Sequence, residues 1–485
     1  MLKYMFLNLP NPPNKNIYRG NAGGFGTTGT ISSKTLLPIY LIYAASALEN
    51  SGCKYEILDA QAMEYDVQKV KKEVIKREPD ILLAWISLPS FYHDLKCLDE
   101  VKSLKEDTLI VAWGTVCNVM PEEILFNSKV DLILKGEYPY YYAISTFIEK
   151  VEQKGKFNFE DIPSATFVKN GKIFSNPSNS NEADSLNKLS LKVYHRIPVH
   201  NYVDFYESLD GSKVGCIPII TSAGCPYSCM YCPYPIGYGK RVKYKSVENI
   251  IKEIEFLIEN FGVNGFLFRD QVFTQNKKRV VELCNKIIEK NLDIKWLIEA
   301  RADQMSRELL QLMKRAGCFR IHFGVETGSS KLIDLGKPGS DLEKYKNAFN
   351  VCREFGIFTI AHLIIGLPGE SQETIQDTLK FLRYINPDKI NLNIITPYPG
   401  TELFEMAKEK GWIMDFDWSK YTSFNAVMRT EDLTTEQINE LRQYIKKEFR
   451  KFKLIHDGNY RKLLIRSIPR KLRDRLILKL VKIKT

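Results

Sequence analysis

Three cysteines spaced C-x₃-C-x₂-C, Cys225, Cys229 and Cys232 in GCPYSCMYC, are the residues of this chain best suited to do chemistry. A [4Fe–4S] cube is normally held by four thiolates. Here one tight loop offers three, and no fourth cysteine stands near, so one iron is left open to another ligand. Tyr231, directly before the third cysteine, adds an aromatic face beside that corner. A structural zinc site instead wants four N/S ligands in paired half-sites. The upstream Cys216 and His200 form no second half-site. The other cysteines (Cys53, Cys97, Cys117, Cys216, Cys284, Cys318, Cys352) are scattered singly, the habit of buried thiols in a reducing compartment rather than of a disulfide framework.

The elements that must position this loop are legible in residues 213–430. Six strand–helix units follow one another: CIPIITS, GFLFRD, IKWLIEAR, FRIHFGV, IFTIAHLIIG and KINLNII. Amphipathic helices come after the first five, for example SVENIIKEIEFLIENFG with Ser246 as N-cap. Six units are too few for a closed eight-stranded barrel. In barrels of this lineage chemistry gathers at the carboxyl ends of the strands. The cysteine loop follows strand one, and Arg269-Asp270 follows strand two. Strand three ends in Glu299-Ala300-Arg301, whose alternate residues share a face. Strand four gives Gly324-Val325-Glu326-Thr327-Gly328-Ser329, and strand five gives Gly366-Leu367-Pro368-Gly369-Glu370, where glycine lets backbone approach a ligand. Thr396 to Thr401 close the set after strand six. His322 and His362 lie inside strands four and five. They are expected on the other face from the motif residues, or one step away, as satisfied core or barrel-lining groups.

Residues 1–150 alternate short apolar strands (KYMFLNL, YEILDA, DILLAWIS, TLIVAWG, VDLILKG) with helical stretches, predicting a doubly wound, parallel, Rossmann-like sheet. Ligands of such sheets sit beyond the carboxyl ends of the strands. Those ends carry Asp59 and Gln61, Ser87 to Ser90, Gly114-Thr115 and Gly136-Glu137. A Gly/Thr-rich stretch, Gly20 to Thr30, is expected to form a flexible loop over that edge. Residues 151–212 read as a polar linker without chemistry.

The cysteine loop and the strand-end motifs together resemble the radical S-adenosylmethionine (SAM) enzymes, and the six strand–helix units match the partial (β/α)₆ barrel of that fold. ILDAQAM, AWGTVCNVMPEEI and DLILKGEYP in the first domain are similar to the cobalamin-binding domain of the B12-binding radical SAM superfamily. In that superfamily the open iron chelates the amino and carboxylate groups of SAM, and one electron cleaves the sulfonium to a 5′-deoxyadenosyl radical. The resemblance implies SAM contacts at Tyr231, Asp270, Glu299, Arg301, Glu326, Gly366, Leu367 and Pro368. It implies cobalamin contacts at Asp59, Gln61, Ser87, Ser90, Gly114, Thr115, Gly136 and Glu137. Two departures stand out. Arg269-Asp270 replaces a Gly-Gly-Glu-like segment, and Gln61 stands where corrinoid carriers place the histidine that ligates cobalt, a ligand an amide cannot match. Cobalamin held here is therefore expected to lack a histidine ligand from this loop. The family also implies a low-potential electron donor of ferredoxin or flavodoxin type.

The remaining segment, 431–485, reads as a basic helical tail. From Leu441 to Thr485 there are sixteen Lys/Arg against three Asp/Glu, so the whole excess of the +11 chain lies there and residues 1–440 are close to neutral. RKLLIRSI and RLILKLVKI interleave cations with branched aliphatics, the composition of an interfacial amphipathic helix. No apolar run reaches transmembrane length, and MLKYMFLNLP reads as a first strand rather than a signal peptide. The expected place is the cytoplasm, with peripheral contact to the inner membrane face. No Walker loop, paired zinc motif, Ser-His-Asp order or nucleic-acid signature is present. The expected activity is radical methylation, ring closure or C–C coupling at an unactivated carbon, with a membrane lipid or its precursor as substrate class. The alternatives are a non-catalytic cobalamin or redox sensor and a methylthiotransferase-like RNA-modifying enzyme. The latter is disfavoured because no N-terminal three-cysteine domain or C-terminal RNA-binding barrel is recognisable.

Overall fold

A computed structural model describes residues 2–29, 36–154, 158–178, 182–458 and 460–461. The fold is α/β, as the strand–helix alternation predicts. In the first domain five parallel strands stand in the order Tyr55–Asp59, Tyr4–Asn8, Ile81–Trp85, Leu109–Trp113, Leu132–Leu134. Every residue of Tyr4–Asn8, Ile81–Trp85 and Leu109–Trp113 is buried, because helices cover both faces of the sheet. This order reverses direction between Tyr4–Asn8 and Ile81–Trp85, which makes their carboxyl ends the switch point of the sheet. The expected boundary at residue 150 falls inside helix Tyr141–Lys154. Two further strands, Ala165–Lys169 and Lys172–Ser175, extend the same sheet antiparallel.

The segment read as a featureless linker is a strap. Helix Ile39–Asn50 is buried on nearly every side, and residues 186–190 cover it through hydrogen bonds to Tyr43, Ser46 and Asn50. Further on, Tyr202 Oη donates to buried Asp59. Burial pushes the Asp59 carboxyl up to about 6.

The second domain is the open six-stranded half-barrel. Lys213–Ile219, Gly265–Phe268, Lys295–Ala300, Cys318–Glu326, Phe358–Ile365 and Lys389–Ile394 run parallel in sequence order, with Asp204–Glu207 antiparallel on the outer edge. Ser246 caps helix Val247–Phe261 by accepting from the Asn249 amide at 3.2 Å. One apolar core runs unbroken from Tyr4 in the first sheet to Phe449 beyond the barrel.

The C-terminal segment divides. Its first part, helix Thr435–His456, buries Ile438, Leu441, Ile445 and Phe449, and Arg442 bonds to the last strand. This stretch therefore packs on the barrel along one face. Most of RKLLIRSI and all of RLILKLVKI lie outside the described residues. No described helix is long and apolar enough to cross a membrane.

Candidate functional site

The strand ends of the half-barrel and the Gly/Thr-rich loop of the first domain enclose a cavity of about 810 Å³. The cysteine loop reaches it through a tight return. Ser222–Ala223 pairs antiparallel with Lys243–Tyr244. Gly224 then takes φ +107°, where an added Cβ would meet the Arg241 carbonyl oxygen at 2.4 Å. Only glycine fits there. Cys225, Cys229 and Cys232 all line the cavity, and burial pushes all three thiols up, Cys229 to about 11. Cluster assembly must therefore displace protons from them. Among the described residues no three His, Cys, Asp or Glu side chains converge on a single ion. A cube binds its thiolates at separate irons and needs no such convergence, so the loop fits the cluster. Tyr231 donates to the Gly336 carbonyl at 2.8 Å and ties the loop to the segment after strand four.

Three charge pairs form the polar wall. Arg269 pairs with Glu299 at 2.9 Å and donates to Asn21 of the first domain at 2.8 Å. Arg301 forks onto Asp303 at 3.1 and 2.6 Å and stacks over Tyr227, leaving its Nη1 buried without a partner among the described residues. That orphaned donor suits a ligand oxygen. Glu326 pairs with Lys337 at 3.2 Å. It sits at φ +65°, where the register between strands four and five shifts. Left-handed backbone at a non-glycine stores strain, a recurrent property of ligand sites. Burial pushes the Glu326 carboxyl up against the pull of Lys337.

The site candidates thus separate. Tyr231, Glu299, Arg301 and Glu326 line the cavity with the cysteines, whereas Asp270, Gly366, Leu367 and Pro368 do not. Asp270 is fully buried behind the cysteine loop. It accepts from the Thr221 amide at 2.7 Å, Thr221 Oγ1 at 2.5 Å, Ser222 Oγ at 2.6 Å and Arg279 at 3.3 Å. Its neighbour Arg269 takes the cavity face, since adjacent strand residues point opposite ways. Leu367 packs in an apolar cluster with Tyr231 and Ile395, and Glu370 closes the turn by accepting from the Gly366 amide at 2.5 Å.

His322 and His362 are barrel-lining, one of the two expected placements, but they share the face of the motif residues instead of the opposite one. Both line the cavity, because His322, Gly324 and Glu326 are two residues apart and share one face. The rings touch at 3.3 Å, and Arg320 Nε donates to His322 at 2.8 Å. Burial holds both imidazoles below their usual range. The alternation in FRIHFGVE was the signal for this placement.

None of the eight first-domain candidates lines the cavity. Gln61 bonds to Asn11 at 2.7 Å, Ser90 to Asp94 at 2.8 Å, and Glu137 pairs with Lys243 at 3.0 Å. Asn118 holds Gly136 through both its amide and its carbonyl. The Ser87 amide donates to Asp94 at 3.1 Å, and a Cβ on Gly114 would meet the Trp85 ring at 2.8 Å. The Gly/Thr loop lies directly on this edge. Thr115 donates to the Gly23 carbonyl at 2.7 Å and the Leu88 amide to Phe25 at 2.7 Å. From there Tyr18, Asn21, Ala22 and Thr27 to Gly29 supply the first domain's share of the cavity wall. Five of the eight buried polar side-chain atoms that lack partners among the described residues belong to this edge: Arg19 Nε, Trp85 Nε1, Ser87 Oγ, His93 Nε2 and Trp113 Nε1. Buried polar atoms ordinarily find partners, so this edge has the chemistry to hold a large polar ligand.

Comparison with known proteins agrees with the barrel's geometry, residues 219–382 matching the radical SAM superfamily. Residues 219–382 form a radical SAM domain. The chain that carries it is 28% identical over 443 residues to an uncharacterized methyltransferase, PH0819, of Pyrococcus horikoshii, covering 91% of each chain. It is 27% identical over 428 residues to an anaerobic magnesium-protoporphyrin IX monomethyl ester cyclase of Cereibacter sphaeroides, covering 84% of this chain and 67% of the relative. Among solved structures it is similar to the cobalamin-dependent SAM radical enzyme OxsB, with a TM-score of 0.72 at 15% identity over 100% of this chain and 75% of that one. It also resembles the radical SAM methyltransferase TsrM of Kitasatospora setae, with a TM-score of 0.69 at 15% identity over 93% and 88%. At such identities the structural likeness speaks to the fold alone.

Proposed function

We propose that this radical SAM enzyme cleaves SAM reductively at a [4Fe–4S] cluster on Cys225, Cys229 and Cys232, and uses it with cobalamin to methylate an unactivated carbon, or to form a C–C bond or ring there. The observation that carries this is the single cavity in which the three cysteines face Glu299, Arg301 and Glu326. The cluster supplies the electron, and cobalamin, when bound, supplies a transferable methyl group. Arg301 Nη1 is free to take an oxygen of SAM, and Glu299 and Glu326 to accept from its ribose or amine. Cobalamin would be held at the first-domain edge by the groups around Ser87, Gly114 and Thr115, with no histidine from the Gln61 loop. Relatives named as methyltransferase and as cyclase support both outcomes.

Anaerobically reconstituted protein given SAM and a strong reductant should release 5′-deoxyadenosine and retain added corrinoid. Replacing Cys225, Cys229 and Cys232 together should abolish the iron–sulfur absorbance and the deoxyadenosine. A triple variant that still makes deoxyadenosine defeats the assignment. A wild type that binds cofactors yet consumes no SAM is a sensor instead.

The finer reading of a membrane lipid or lipid precursor as substrate rests on the composition of the chain after residue 461. Basic residues near an anionic surface contribute about 1 kcal/mol each. Full-length protein should therefore bind anionic vesicles at low salt and release them as salt rises, and truncation after Arg461 should remove that binding. Equal partitioning of the two proteins refutes it.

A further inference from the structure

We propose that Arg442 is the residue that selects the substrate, by docking an anionic group of it, a phosphate or a carboxylate, at the rim of the cavity. This deepens the reading above by naming the chemistry of the second substrate. Four cations line the cavity: Arg269, Arg301, Lys337 and Arg442. The first three are matched by Glu299, Asp303 and Glu326 at 2.9, 2.6 and 3.2 Å. Arg442 has no ion-pair partner among the described residues.

Its stem is fixed all the same. Buried Ile438, Leu441 and Ile445 seat its helix on the barrel. Nε donates to the Leu392 carbonyl at 2.9 Å, and the guanidinium lies 5.4 Å from the Phe424 ring centre. The two terminal nitrogens keep their hydrogens for a ligand. A planar guanidinium so held is preorganised for the paired oxygens of a carboxylate or phosphate. Partial burial alone pulls its pKa down, with no neighbouring anion to offset it, and an uncompensated, desolvated cation is costly. A ligand anion removes that cost. Asn393, Thr396 and Ser423 are further polar groups lining the same cavity. The carboxylate of SAM is not the anion in question, since on the reading above SAM is held beside the three cysteines.

The test is equilibrium binding to full-length, cluster-reconstituted protein, which requires no turnover and is independent of whether SAM is cleaved. The probes are pyrophosphate, citrate and monomeric dihexanoyl phosphatidylglycerol, with dihexanoyl phosphatidylcholine as the zwitterionic control. Wild type should bind at least one anion, Arg442→Gln should weaken it roughly tenfold or more, the value of one charge-assisted contact, and Arg442→Lys should fall between. Unchanged iron–sulfur absorbance in both variants reports an intact barrel, and the lysine variant keeps the comparison if the glutamine variant misfolds. Preference for pyrophosphate assigns a soluble phosphorylated substrate, for citrate a carboxylate, and for phosphatidylglycerol a lipid headgroup. The proposal is overturned if wild type binds no anion at millimolar concentration, or if both variants bind every probe as wild type does.

Discussion

Asp270 offers the sharpest test of how the cysteine loop is held. Its carboxylate satisfies two hydroxyls, one amide and Arg279, whose own Nη1 donates to the Thr221 carbonyl at 3.1 Å. The side chains of the Asp270–Arg279 pair are 0% and 7% exposed. Asp270→Ala leaves a buried guanidinium without its counter-ion, which costs about 3–5 kcal/mol. The hydroxyl and amide losses are not added to this, because the groups form one network. Asp270→Asn keeps an acceptor but not the charge and should cost about 1.5–3 kcal/mol. The damage falls on Thr221 and Ser222, four and three residues before Cys225, so iron content should drop with stability. Anaerobic urea unfolding read on the iron–sulfur absorbance, with iron per chain, measures both. Removing the other partner as well, in Asp270→Ala/Arg279→Met, should recover part of the loss. The reasoning fails if Asp270→Ala lies within about 1 kcal/mol of wild type, the level of an ordinary surface change, or if the double variant recovers nothing.

Two further outcomes are expected. Burial pushes the Glu370 carboxyl from 4.5 up to about 7, so the folded state binds more protons than the unfolded one between those values. The stability it contributes is full below 4.5 and is lost as pH rises through 7. Glu370→Gln should flatten the urea midpoint across that window, and an unchanged slope would refute the burial argument. Gly237→Ala places a Cβ 2.3 Å from the Gly23 carbonyl oxygen and 2.2 Å from Thr115 Oγ1. It should prise the two domains apart, lowering deoxyadenosine yield and raising protease sensitivity near residues 20–29 while the cluster absorbance persists; wild-type yield would show that the contact is dispensable.

The chemistry was legible where it is local. The cysteine spacing needs no tertiary context, and the strand-end motifs follow from a fold whose periodicity is written in apolar runs. What escaped the sequence was direction and distance. Arg269-Asp270 could be placed at a strand end, but alternation says only that one faces in and one out. His322 was legible in principle, two and four residues from Gly324 and Glu326, and was misplaced by reading the histidines singly. Arg442 was not legible, since an arginine on an amphipathic helix is the ordinary solvated case until the helix is seen against the last strand. The Gly/Thr stretch was rightly set over the sheet edge, but its reach into the barrel depends on backbone contact between Gly23 and Gly237 that no pattern announces.

The reactive chamber is not owned by the fold that carries its chemistry, because residues 18–29 close it from the neighbouring domain. What the chamber admits therefore depends on a short glycine–threonine segment and the turn at Ser423-Phe424 as much as on the strand ends that carry the cysteine loop. The same division penalises separation. A barrel stripped of its partner would have that chamber open to water on the side that residues 18 to 29 now cover.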